Sequence, residues 1–163
     1  MKTSFLAIFV AIFFVSIPAH AVWERVFKKD DFTDKESVRY SVSDRNGSRG
    51  MFLILDCTET GNISFVWQIS DESINLFTES GEFEVNVRVD SKHIFKEAWK
   101  WAVFGPFFSP AEDQRAVFLS KLKGAKKLAL KIDADFINPG AIGIFDITGF
   151  DKAYAEVKTL CNK

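Results

Sequence analysis

Through most of its length this chain alternates apolar and polar residues with a period of two, and that pattern admits few folds. Successive side chains of a strand point to opposite faces, so each alternating run predicts a strand with one buried and one wet face. The clearest run sets Phe83, Val85, Val87 and Val89 against Glu84, Asn86, Arg88 and Asp90. Val38, Tyr40 and Val42 alternate with Arg39 and Ser41 and end at the turn Asp44-Arg45-Asn46-Gly47. Met51 to Leu55 is apolar on both faces, which predicts a central strand with Cys57 at its end. The Thr60-Gly61-Asn62 turn then leads into Ile63, Phe65, Trp67 and Ile69, and these two strands read as a hairpin. Trp99, Trp101 and Val103 predict another strand. A second hairpin pairs Leu128, Leu130 and Ile132 with Ile142-Gly143-Ile144-Phe145 across the loop containing Asn138-Pro139-Gly140.

Two segments change to helical period. Ser109-Pro110-Ala111-Glu112 has the form of a capping box, with proline at the first helical position. The helix it opens carries Phe118, Leu119 and Leu122, has Lys121 and Lys123 near its end, and stops at Gly124. Thr148 to Asp151 repeats the signal, after which Phe150, Ala153, Tyr154, Val157, Leu160 and Cys161 fall on one helical face. The expected fold is therefore α+β: an antiparallel sheet, curled or sandwich-like, with two amphipathic helices packed on it.

The first twenty-one residues have a different logic. Lys2, the apolar stretch from Phe5 to Ile17, and Ala19-His20-Ala21 have the three-part form of a secretory signal peptide cleaved after Ala21. The apolar stretch is shorter than the roughly 20 residues that a permanent spanning helix needs. Residues 22–163 then form one α+β domain of 142 residues, long enough to bury a core, located in the periplasm with no stable membrane insertion. Lys2 leaves with the signal, so 20 basic residues face 22 acidic ones and the formal charge moves from −1 to −2. That balance excludes a nucleic-acid partner, which would call for a strong basic excess.

Two cysteines in an exported chain, Cys57 and Cys161, read first as a disulfide. A bridge closing a loop of about 100 residues corresponds to roughly 4 to 5 kcal/mol in the chain-entropy model. The alternative is two separate thiols. Residues that carry chemistry are scarce. His93 is the sole histidine after the signal, and no serine sits in a G-x-S-x-G elbow. No cysteine or histidine pair has zinc-ligand spacing, and Asp133 and Asp135 do not extend into a calcium loop, so no cofactor is expected. Lys121, Lys123, Lys126 and Lys127 fit a helix C-terminus better than a phosphate site. Paired carboxylates for glycoside cleavage stay open, because such partners need not be close in sequence.

One stretch is harder to absorb. Phe95, Trp99, Trp101, Phe104, Phe107 and Phe108 place six aromatics in fourteen residues, and Gly105-Pro106 interrupts the strand pattern among them. The tryptophans are expected in the core. Phe104, Phe107 and Phe108 sit in a connection, where aromatics act either as a lid over the core or as anchors for a partner's pocket.

From Cys57 onward the order of features resembles a family of small exported bacterial proteins that includes the VasI-type accessory proteins of type VI secretion. The shared pieces are Leu53-Ile54-Leu55-Asp56-Cys57, the R-x-D of Arg88-Val89-Asp90, Trp99, the segment Lys121 to Leu128, Phe145 to Phe150, and a terminal helix closing with Cys161. Similar sequences occur on prophages, where small periplasmic proteins block entry of further phage. The resemblance implies an exported, disulfide-bonded accessory protein without catalysis, and makes Arg88, Asp90 and Trp99 a candidate partner surface. The expected function is a non-enzymatic periplasmic binding protein that recognises an envelope protein, either secretion-associated or a superinfection-exclusion or immunity protein. The rival class is an envelope hydrolase that uses carboxylates.

Overall fold

The structure, a computed structural model, describes residues 23–29, 36–45, 50–58, 60–70, 81–101, 107–132 and 141–162. The signal segment with Ala21, Asn46 and Gly47 of the turn after β2, Val103, Phe104, Asp133, Asp135 and the Asn138-Pro139-Gly140 loop lie outside the described residues.

Alternation builds a single continuous sheet. Its strands are β1 (Glu24–Lys29), β2 (Glu36–Ser43), β3 (Met51–Cys57), β4 (Ile63–Ile69), β5 (Gly81–Val89), β6 (Phe95–Trp101), β7 (Phe107–Pro110), β8 (Lys127–Ile132) and β9 (Ala141–Asp146). They lie in the order β1-β2-β3-β4-β7-β6-β5-β8-β9, each antiparallel to its neighbours. Two helices, α1 (Glu112–Lys121) and α2 (Phe150–Cys161), complete the α+β fold. The predicted hairpins β3–β4 and β8–β9 form, with Leu53 opposite Trp67 and Leu128 opposite Phe145.

The sheet curls until its far side meets its near one. Asp44, just past β2, bridges to Phe145 of β9, and the Arg45 amide donates to the Ile144 carbonyl at 2.8 Å. The Asp44 carboxylate accepts the Ile144 amide at 2.5 Å, which fixes this seam with a charged acceptor. Trp23 closes the same side: it is buried, its indole donates to the Ile147 carbonyl at 3.5 Å, and its ring meets Phe150 at 6.1 Å.

One face of the curled sheet is the core. Val38, Tyr40, Val42, Met51, Leu53, Leu55, Phe65, Trp67, Ile69, Val85, Val87, Val89, Trp99, Phe108, Leu128, Leu130, Ile132 and Phe145 all bury their side chains. The helices cover this face, because Phe118 of α1 packs against the rings of Phe65 and Trp99 at 5.5 Å each. Phe150, Ala153 and Val157 of α2 are buried. Gly143 is a packing requirement: a Cβ there would lie 2.6 Å from the buried Phe145 ring.

Neither helix starts as its sequence signal suggests. Ser109 and Pro110 belong to β7, where Ser109 pairs with Lys100 and Pro110 with Trp99, so Ala111 becomes the N-cap and no side chain caps α1. Strand pairing on β6 outcompetes the local cap. At α2 the N-cap is Gly149 at φ 90°, a left-handed conformation suited to glycine. Asp151 turns away from its own helix and accepts the Gly124 amide at 3.0 Å.

Cys57 and Cys161 form the disulfide, with Cα atoms 5.5 Å apart. It ties the last residue of α2 to the end of β3. A second tie is polar. Glu156 of α2 accepts from Arg25 Nε at 2.9 Å and Nη2 at 2.6 Å, while its other oxygen takes the Tyr40 hydroxyl proton in a short hydrogen bond. Thus β1, β2 and α2 meet at one carboxylate.

Two outcomes are expected. Denatured without reductant, the purified chain should titrate no thiol, and replacing both cysteines by serine should lower its unfolding free energy in urea by about 2 to 5 kcal/mol. The second concerns pH. Arg25 and then Tyr40, as hydrogen-bond donors, hold the Glu156 carboxyl below the ordinary glutamate value. Its contribution is therefore present above the unfolded glutamate value and lost as pH falls through the lower folded one. Burial, then the bond to Glu156, raises the Tyr40 phenol, so that contribution is present below the unfolded tyrosine value and lost as pH rises through the folded one. Urea midpoints should fall at both pH extremes, and Glu156→Gln should flatten the acid limb.

Candidate functional site

The buried face is filled by its own side chains. Trp67 meets Trp99 edge-to-face at 6.4 Å and Phe108 at 6.0 Å, and Phe83 meets Phe108 at 5.4 Å. Trp99 and Phe108 are 0 % exposed. That corrects their place on a candidate partner surface, since neither can touch another molecule in this fold. The physical reason is parity: Phe108 stands directly opposite Trp67 in the ladder and shares its inward face. Phe107, one residue earlier, is half-buried on the outer face. Phe104 lies outside the described residues.

Asp90 also has a structural role. It adopts φ 53° at the end of β5, and one carboxylate oxygen accepts the amides of Lys126 and Lys127 at 2.9 Å each. Its own amide donates to the Lys127 carbonyl at 2.8 Å. Aspartate tolerates the left-handed region better than most residues because its short side chain bonds locally, and here it clamps the entry to β8. Two lysines of the basic run beside it also have partners. Lys121 pairs with the buried Glu97 and lies 4.4 Å from the Phe95 ring centre, and Lys123 sits 5.9 Å from that of Tyr154.

Arg88, the other half of the R-x-D motif, is exposed on the outer face of β5. It lines a shallow depression of about 310 Å³ together with Asn86, Ile94, Ala129, Lys131 and Ile142. The register explains the hollow. Arg88 stands opposite Ala129, and Asn86 opposite Lys131, which in turn faces Ile142. A small side chain thus sits among long ones. Among the described large hydrophobics Ile94, at 64 %, is the most exposed, and Ile142, at 53 %, equals Val117 on α1. The resemblance pointed to Arg88 but not to the isoleucines. Their signal was available in the sequence: Ile142 falls on the wet parity of its strand, opposite Lys131, where a polar residue is the norm.

A second hollow of about 380 Å³ lies between α1, α2 and the β3–β4 turn, lined by Glu112, Arg115, Tyr154, Lys158 and Cys161 among others. Charges of both signs line it, and Arg115 donates to the Ile63 carbonyl at 3.2 Å. His93 is exposed in the β5–β6 turn. Among the described residues no three His, Cys, Asp or Glu side chains converge to hold a metal ion, and no helix is long and apolar enough to cross a membrane.

The buried and outer aromatics should separate in a stability assay. Phe108→Ala is expected to cost about 3 to 5 kcal/mol, as truncation of a fully buried phenylalanine does. Phe107→Ala should cost about 1 kcal/mol or less. Equal losses in urea unfolding would contradict the parity assigned to β7.

No protein-family model, curated protein or solved structure matches this chain.

Proposed function

We propose that this chain is an exported, non-enzymatic accessory protein of the bacterial cell envelope, acting in the periplasm by binding another envelope protein. The observation that carries this reading is where free surface is found. Small closed sheets hold a ligand only if their interior is left open. Here Phe65, Trp67, Trp99, Phe108, Phe118 and Phe145 occupy that interior and are fully buried. Recognition therefore falls to the outer face, where apolar and charged side chains stand together around Arg88. The disulfide supports an oxidising compartment. Association with a secretion system and exclusion of superinfecting phage are two settings in which such a binder would serve.

The test is in-cell photo-crosslinking from single outer-face positions. Ala98 and Ala129 are suitable, being on strands and clear of the core. The expected result is crosslinking to one discrete envelope protein, with no turnover of peptidoglycan by the purified chain. Peptidoglycan cleavage would overturn the reading in favour of a carboxylate-dependent hydrolase, and a chain that crosslinks to nothing from either position would overturn it as well.

A further inference from the structure

We infer that the hollow between α1, α2 and the β3–β4 turn binds a free α-amino acid with an apolar side chain, its carboxylate held by Arg115 and Lys158 and its ammonium by Glu112. This site is separate from the outer face, and the binding of an envelope protein proposed above neither requires it nor depends on it.

Three observations carry it. The first is that opposite charges share this hollow without meeting. Glu112 and Arg115 stand three residues apart on α1, a spacing that brings side chains together across one helical turn. They form no ion pair. Arg115 turns instead to the Ile63 carbonyl, to which Nη1 donates at 3.2 Å, and its Nε is buried without an acceptor. The side chains of Glu112 and of Lys158 on α2 have no ionic or hydrogen-bonded partner among the described residues. A simple anion in this hollow would face Glu112 as well as the two cations. A ligand carrying both a carboxylate and an ammonium complements all three charges, and a free amino acid carries that pair.

The second is the division of the lining. Ile63, Ala116 and Leu119 give the hollow an apolar side, opposite in character to its charged groups. A few placed polar groups beside an apolar wall are the usual make-up of a small-molecule site. The volume, about 380 Å³, lies at the small end of the roughly 300 to 1,000 Å³ of such sites, which suits an amino acid better than a larger metabolite. The third is how the walls are fixed. Cys161 lines the hollow and is bonded to Cys57 at the end of β3, while Arg115 is tied to β4 through Ile63. Both helices are thus anchored to one hairpin, and a site held in place before its ligand arrives loses less freedom on binding.

The test is an NMR titration of the purified chain at about pH 6.5, where a free α-amino group is charged. Three probes are compared: L-leucine, N-acetyl-L-leucine, which keeps only the carboxylate, and L-leucinamide, which keeps only the ammonium. L-leucine is expected to shift the amide signals of residues 61–63, 112, 115–116, 119 and 158–162, and each single-charge probe to bind at least about tenfold more weakly. Two variants assign the charges, and both replace exposed side chains, so neither disturbs the core. Glu112→Gln should weaken the binding of L-leucine and L-leucinamide but not of N-acetyl-L-leucine. Lys158→Gln should weaken L-leucine and N-acetyl-L-leucine but not L-leucinamide.

No shift with L-leucine, equal affinity for all three probes, or L-leucine binding that either variant leaves unchanged would overturn the proposal. Tighter binding of N-acetyl-L-leucine than of L-leucine would overturn it in favour of a site for simple carboxylates.

Discussion

Four residues splice this molecule together. β1 to β4 form a meander, and β6, β5, β8 and β9 form a second group; β7, from Phe107 to Pro110, lies between them and pairs with both β4 and β6. Hydrogen bonds alone would make so short a strand a weak joint. What holds it is Phe108, which carries the splice into the ring cluster of Trp67, Phe83 and, through Trp67, Trp99. Aromatic pairs at such separations add about 0.5 to 1.5 kcal/mol each beyond the area they bury. The indole nitrogens of Trp67 and Trp99 have no hydrogen-bond acceptor among the described residues, and sit among rings whose faces accept only weakly. The joint tolerates that cost in exchange for dense packing.

Carboxylates, by contrast, do the work of fastening. Asp44 holds the seam, Asp90 the entry to β8, Asp151 the turn after α1, and Glu156 the meeting of β1, β2 and α2. Glu97 is buried and paired with Lys121 across to α1. In a chain with two histidines, such acids would be the first place to look for catalysis. Here each of these five serves a specific neighbour. The side chains that face outward around Arg88 have a different character: long, mixed apolar and cationic, and arranged about a small residue.

Much of the fold was legible in the chain because period-two alternation is a direct imprint of burial on one face. β2, β4, β5 and β8 could be read this way, β3 from a run apolar on both faces, and the pairing of Cys57 with Cys161 from the even cysteine count. β1 was missed, since Glu24-Arg25-Val26-Phe27 alternates poorly: its Phe27 is largely exposed and its footing is the ion pair of Arg25 with Glu156. β7 was hidden by Ser109-Pro110, whose local preference for capping a helix yields to ladder pairing with β6. Motif reasoning found Arg88 but grouped it with Asp90 and Trp99, which the backbone sends to a turn and to the core. Adjacent residues in a motif need not share a surface, because in a strand they face opposite ways and at its end they leave it. The isoleucine rim was invisible to motif reasoning, since it joins a turn and a distant strand that only the sheet order brings together.

The closure of the sheet has a consequence for how the chain reaches this state. Trp23, which precedes the first strand, docks against Ile147 and Phe150 near the other end of the sequence, and Cys57 waits for Cys161. A nascent chain emerging from its N-terminus therefore cannot close the seam until nearly all of it has been made. Until then its meander lacks β7, the ring cluster and both helices, and stays open. Long-range closure of this kind is slow. In the export proposed above, such delay would leave the seam to close only after the last residues have crossed the membrane.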